Sequence, residues 1–137
     1  MKKSISLLFV AAVVTLVACG VKKSDLVVGS RKISDASASK PNDVPDSLKS
    51  VWEAQMKMQA EAMKKSTAFD FNKDGSFSVK MLGQENKGTW KLNDDGSKIF
   101  RTMDGRTDTA NVVEISASKM VFESEVQGQK IKMVLSK

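Results

Sequence analysis

From Thr67 to the C-terminus the chain alternates apolar and polar residues in short runs, and no other feature restricts its fold as strongly. Phe69 and Phe71 flank Asp70; Phe77, Val79 and Met81 alternate with Ser78 and Lys80; Trp90 and Leu92 flank Lys91; Met120 and Phe122 flank Val121; Ile131, Met133 and Leu135 alternate with Lys132 and Val134. A period of two sends successive side chains to opposite faces, so each run predicts a strand with one face buried and one in water. Between the runs stand Asn72-Lys73-Asp74-Gly75, Gly83-Gln84-Glu85-Asn86, Asn93-Asp94-Asp95-Gly96, Asp104-Gly105, Ser116-Ala117-Ser118 and Gln127-Gly128-Gln129. Each supplies the positive φ or side-chain-to-backbone bonding of a tight turn. Turns at this short spacing, with no helical period between them, predict an antiparallel up-and-down meander rather than βαβ units. Seven such strands and one more at Leu26–Ile33 make eight, enough to close a small barrel.

Upstream the pattern differs. Ser34 to Asp43, rich in Ser, Ala, Lys and Pro, reads as linker or loop. Pro45 suits a first helical turn, and Leu48 to Lys65 contains no Gly, Pro or Thr and only Val51 among β-branched residues, which predicts a helix over about residues 46–65. Leu48, Trp52, Met56, Ala60 and Met63 recur at helical spacing, leaving one apolar face for docking. Gly29-Ser30-Arg31-Lys32-Ile33 echoes Gly88-Thr89-Trp90-Lys91-Leu92, which supports a strand of the same sheet at the first position.

The first residues read as an address. Lys2 and Lys3 precede a short apolar run, Ile5 to Val17, that ends on Ala18, Cys19 and Gly20. The run is shorter than the roughly 20 residues of a membrane-spanning helix, so it predicts a cleaved secretory signal. Leu16-Val17-Ala18-Cys19 resembles the bacterial lipobox, which implies cleavage before Cys19 and acylation of that residue. Several acyl chains would hold the protein on a membrane stably, where one would not. The implied organisation is a signal peptide at 1–18, a lipidated tether at 19–25 and a domain at 26–137, on the periplasmic side of the outer membrane, since Gly20 is not the aspartate of many inner-membrane lipoproteins.

Composition narrows the chemistry. The chain has no histidine and a single cysteine, so Ser-His-Asp and Cys-His nucleophile systems and histidine metal sites are excluded. The balance of 22 basic against 16 acidic residues is interspersed in sign and shows no nucleic-acid signature. Asp70, Asn72, Asp74 and Gly75 match the start of an EF-hand loop, but its twelfth position is Met81 and its flanks alternate like strands, so the segment reads as a hairpin turn. Met56, Met58 and Met63 with Trp52 could suggest soft-metal ligation, yet residues two apart point to different sides of a helix and no His or free Cys completes the set. Glu53 and Glu61 lie about 12 Å apart along a helix, beyond the usual acid-base carboxylate spacing, and Asp94 and Asp95 sit in a turn. Lys130, Lys132 and Lys137 read as the outer face of the last strand. No cofactor, metal or catalytic residue is assigned, and the protein reads as non-enzymatic.

Phe69-Asp70-Phe71-Asn72-Lys73-Asp74-Gly75-Ser76-Phe77, Gly88-Thr89-Trp90-Lys91-Leu92 with Asp95-Gly96, Val112-Val113-Glu114-Ile115-Ser116 and Lys119-Met120-Val121-Phe122 resemble, in order and spacing, the small lipocalin-like domains of bacterial envelope lipoproteins. Such domains commonly begin with a Gly-x-Trp strand, continue into a Met-rich helical excursion and end in a β-meander; here the Trp position holds Arg31. The resemblance implies a mainly β, eight-stranded lipocalin-like barrel with one helix inserted after the first strand, and by analogy the binding of a small apolar molecule or lipid. The alternation selects Phe69, Phe71, Phe77, Val79, Met81, Trp90, Leu92, Phe122, Ile131, Met133 and Leu135 as inward residues, which either fill the barrel or line a cavity. Trp52, Met56 and Met63 are the candidate helix lid. A different class of function, docking of an envelope protein partner through the helix or loops, fits the same residues, and inhibition of an envelope-attacking enzyme has only the architecture behind it.

Overall fold

The computed structural model describes residues 20–137; the signal segment and Cys19 lie outside the described residues. The chain forms a short helix α1 (Lys23–Val27), strand β1 (Gly29–Ala38), a 3-10 turn at Asp46–Leu48, helix α2 (Lys49–Ser66), and strands β2 (Thr67–Phe71), β3 (Ser76–Met81), β4 (Gln84–Leu92), β5 (Lys98–Met103), β6 (Arg106–Ile115), β7 (Lys119–Val126) and β8 (Gln129–Ser136). Each strand pairs antiparallel with the next, and β8 returns to β1, so the sheet is a closed eight-stranded barrel.

The two ends of the barrel are built differently. At one end, here the mouth, β3–β4, β5–β6 and β7–β8 are joined by two-residue turns at Leu82-Gly83, Asp104-Gly105 and Gln127-Gly128, both members of each with positive φ. That is the backbone hand that suits the twist of a hairpin, and Gly at the second position adopts it without a Cβ penalty. The expected Gly83–Asn86 turn is therefore tighter than its polar composition suggests: Glu85 and Asn86 already belong to β4. At the base, Asn72-Lys73-Asp74-Gly75-Ser76 and Asn93-Asp94-Asp95-Gly96-Ser97 form two equivalent turns. Asp74 accepts the Ser76 backbone N–H at 2.8 Å and Asp95 that of Ser97 at 2.9 Å, while Asn72 and Asn93 donate to the Ser76 and Ser97 hydroxyls. These bonds hold both aspartate carboxyls below the usual carboxylate range, the serine hydroxyl and backbone N–H being the largest causes.

The first strand departs from expectation at both ends. Leu26 and Val27 belong to α1, not to β1, because the chain crosses beneath the barrel before it enters the sheet, and Val27 is fully buried there. Ser34 to Ala38, expected as loop, continue β1 against β8, with a register shift between Ile33 and Asp35. The inward positions above this bulge are Ala36 and Ala38, whose small side chains leave the segment with the composition of a linker although it alternates like a strand.

Strand β2 is short. It pairs with β1 only through Gly29–Lys32, so above Lys32 one edge of β1 has no strand beside it, and α2 packs there instead. The helix ends where Thr67 turns extended and its N–H bonds the Met63 carbonyl at the cap; Lys64 and Lys65 lie in the last turn, where positive charge suits the helix dipole. Trp52, Met56 and Met63 are half-buried and Ala60 is buried on the barrel side. Leu48 is exposed, so the docked face starts one turn later than the spacing alone implied.

Candidate functional site

The lower half of the barrel is solid. Phe69, Phe71, Phe77 and Trp90 project inward from β2, β3 and β4 and pack together, with Phe71 and Phe77 ring centroids 5.0 Å apart and Trp90 edge-on to Phe71 at 5.9 Å. The indole N–H donates to the Asn72 carbonyl at 2.9 Å, which satisfies the one polar atom of this cluster. Val79, Phe122 and Leu135 are buried around it, joined by Ile33, Ile99, Ala110 and Met120. Ile99 and Ala110 escape a reading by alternation because their strands show only one or two strongly apolar inward residues among small or polar ones.

Arg31 closes the base. It is 1% exposed and reaches beneath the core to donate from Nε to the Val27 carbonyl at 3.3 Å and from one terminal nitrogen to the Leu26 and Ser116 carbonyls. Burial pushes its guanidinium below the ordinary arginine value. The aliphatic stem supplies packing and the planar head binds the carbonyls of two separate segments, so the arginine closes the base.

The upper half is open. A cavity of about 420 Å³ lies between α2 and the inner faces of β1 and β8, walled by Ala36, Ala38, Trp52, Met56, Ala60, Met63, Ile131 and Met133, with Pro41, Gln59 and Gln129 at its entrance. Its size is within the range of small-molecule sites and its walls are predominantly apolar with few polar groups. The cavity exists because Ala36, Ala38 and Ala60 are small where α2 stands in for the missing upper part of β2. A larger depression of about 680 Å³ lies at the base between α1 and the two Asn-x-Asp-Gly-Ser turns. Its rim carries Lys22, Lys23, Lys73 and Asp94, charges that water solvates better than an apolar ligand would, so the mouth cavity is the candidate site.

The inward residues chosen by alternation thus divide into two sets. Phe69, Phe71, Phe77, Val79, Trp90, Phe122 and Leu135 form the solid core, and Leu92 packs on it from the base. Ile131 and Met133, with the helix residues Trp52, Met56 and Met63, line the cavity. Met81 belongs to neither: as the last residue of β3, with Gln84 opposite and no strand above, it is 43% exposed at the rim. Asp70 accepts hydrogen bonds from Ser30 and Ser78 and faces Lys80, so the carboxylates of the Asp70–Asp74 segment are engaged in holding strands and a turn. Met58, at 74% exposure, points away from Met56, and Glu53 and Glu61 pair with Lys49 and Lys64 at the helix surface.

A family model described as a lipocalin-like domain matches residues 39–122, more than half of the chain. The protein belongs to the lipocalin-like domain family, whose members are generally non-enzymatic and whose barrel has the capacity to bind a ligand. Among solved structures, a lipocalin-like protein from Bacteroides uniformis is similar at 17% identity and a TM-score of 0.51, covering 82% of this chain and 98% of its own. A DUF4847 family protein from Bacteroides vulgatus is similar at 12% identity and a TM-score of 0.53, covering 81% of this chain and 93% of its own. At these identities the likeness concerns the fold alone. No curated protein sequence matches the chain.

Proposed function

We propose that the protein is a lipid-anchored, non-enzymatic binding protein of the bacterial envelope that holds a small apolar molecule or acyl chain in the mouth cavity, beneath α2. The observation that carries this reading is the contrast within one barrel between a filled base and an apolar cavity of about 420 Å³ under a helix whose inner face is Trp52, Met56 and Met63. Flexible methionines adapt to different ligand shapes at little energetic cost. The anchor is Cys19 of the lipobox, and α1 leads from it into the base, so the mouth would open away from the membrane that carries the anchor. Gly20 after the cysteine, in place of the aspartate of many inner-membrane lipoproteins, supports outer-membrane attachment.

The test is displacement of the neutral fluorophore N-phenyl-1-naphthylamine from the purified barrel, compared with Ala60→Trp, which places a large ring from α2 into the cavity. Saturable probe binding that Ala60→Trp abolishes, with the melting temperature within a few degrees of the parent, supports the site; equal binding by both proteins contradicts it. A second reading, docking of an envelope protein, draws on the outward face of α2, where Val51 and Met58 are exposed beside Ala54 and Ala62. Failure of the barrel to bind any apolar probe, with retention of one envelope protein lost on Met58→Lys, would favour that reading.

A further inference from the structure

Arg101 is an inward-facing cation packed at the edge of the barrel's core. Its β4 partner is Trp90 and its strand neighbour at the same face is Ile99, both buried core residues, so the side chain starts from the inner face of β5. It runs over the Phe122 ring, with the guanidinium carbon 5.9 Å from the centroid, and pairs through one terminal nitrogen with Asp108 on β6. The arginine side chain is 15% exposed whereas its partner is 56% exposed, and the arginine Nε is buried with no acceptor among the described residues. Phe122 lies opposite Met133 in the β7–β8 register, and Met133 is a wall of the mouth cavity. A largely buried guanidinium with an unpaired Nε therefore stands on Phe122, whose β8 partner Met133 walls the apolar chamber.

We infer that Arg101 is the head-group anchor of the site, and that the ligand class is a single-chain amphiphile bearing one carboxylate, its tail in the cavity under α2 and its head on Arg101. This rests on the mouth cavity being a ligand site. A carboxylate matches the planar fork of a guanidinium and takes the place that the exposed Asp108 carboxylate holds on it. Asp108, mostly in water, loses little when it yields its place, so it tunes the strength of the anchor by competing for it. A neutral amphiphile of the same length would gain the tail contacts and not the charged pair.

Titration calorimetry with decanoate and with decanol on the parent barrel, Arg101→Gln and Asp108→Asn separates the two claims. Decanoate should bind the parent at least about tenfold more tightly than decanol, the step a single charge-assisted hydrogen-bond pair supplies. Arg101→Gln should erase that preference, the two probes binding the variant with equal affinity, whereas Asp108→Asn should widen the preference. Equal affinity for the two probes in the parent overturns the anchor while leaving the cavity reading intact; binding of neither probe overturns both. Should Arg101→Gln fail to fold, an unchanged preference in Asp108→Asn is sufficient to overturn the inference.

Discussion

Replacing Arg31 by Ala should destabilise the barrel by about 2–4 kcal/mol, and the figure follows from what the side chain touches. Three carbonyls, that of the buried Val27 and those of the part-buried Leu26 and Ser116, lose their guanidinium donor. Hydrogen bonds from a charged group are worth about 1.5–3 kcal/mol each, but those to Val27 and Ser116 are long, at 3.3 and 3.4 Å, and count for less. Loss of the fully buried stem leaves a void at the base, adding a cavity cost of the kind seen for large-to-small core changes. Against these stands relief: a buried cation is returned to water in the unfolded reference, and its second terminal nitrogen has no acceptor among the described residues. The net loss is thus smaller than the sum of its parts. Urea unfolding followed by tryptophan fluorescence should show a lower midpoint with an unchanged slope, since the surface exposed on unfolding is nearly the same. Arg31→Lys should recover only part of the loss, because an ammonium cannot span two segments as a planar fork does. A loss below about 1 kcal/mol for Arg31→Ala, or full rescue by Lys, would refute the argument that this arginine ties the base together.

Other outcomes follow from particular contacts. Gly88→Ala should cost on the order of 1–3 kcal/mol in the same unfolding assay, because a Cβ at Gly88 runs into the Thr102 carbonyl oxygen on β5, a backbone atom that cannot yield; a neutral effect would mean the two strands are looser than described. Asp74 and Asp95 have folded pKa values below their unfolded ones, so their contribution is present above the unfolded value of about 3.9 and is lost as pH falls through the folded values. The double variant Asp74→Asn/Asp95→Asn should therefore flatten the fall in melting temperature below about pH 4, and an unaltered acid profile would show that other carboxylates govern it. Trp52 lines the cavity and Trp90 is buried in the core, so ligand binding should shift emission in Trp90→Phe, which retains Trp52, and not in Trp52→Phe; the reverse would move the site to the base.

What could be read in advance depended on whether a residue announces its environment through its own chemistry. Phe69, Phe71, Phe77 and Trp90 alternate with polar residues over several positions, and both the strands and the core they form were legible. The order of strands and the inserted helix followed from turn chemistry at Asn-x-Asp-Gly and Asp-Gly and from the absence of Gly and Pro in α2. Ala36 and Ala38 were not legible as strand, because a small inward side chain among Asp35, Ser37 and Ser39 has the composition of a linker and only its partner across the sheet, Met133 or Ile131, shows its direction. Arg31 and Arg101 were missed as interior residues for a related reason: a cation is expected in water, and nothing local reveals that carbonyls or a ring await it. The division between filled base and open mouth depends on the shortness of β2 and the placing of α2 beside β1, a tertiary fact that no single window of residues contains. A signal was available in the echo of Gly29–Ile33 with Gly88–Leu92, which sets Arg31 in register with the inward Trp90.

The most direct test of the account is native mass spectrometry of the barrel, residues 20–137, recovered gently from its own envelope extract, beside Ala60→Trp handled identically. A filled base beneath an occupied mouth cavity predicts one small molecule per chain in the parent, released on denaturation and absent from Ala60→Trp. An apo mass for both proteins, or the same adduct on both, would contradict a ligand site under α2.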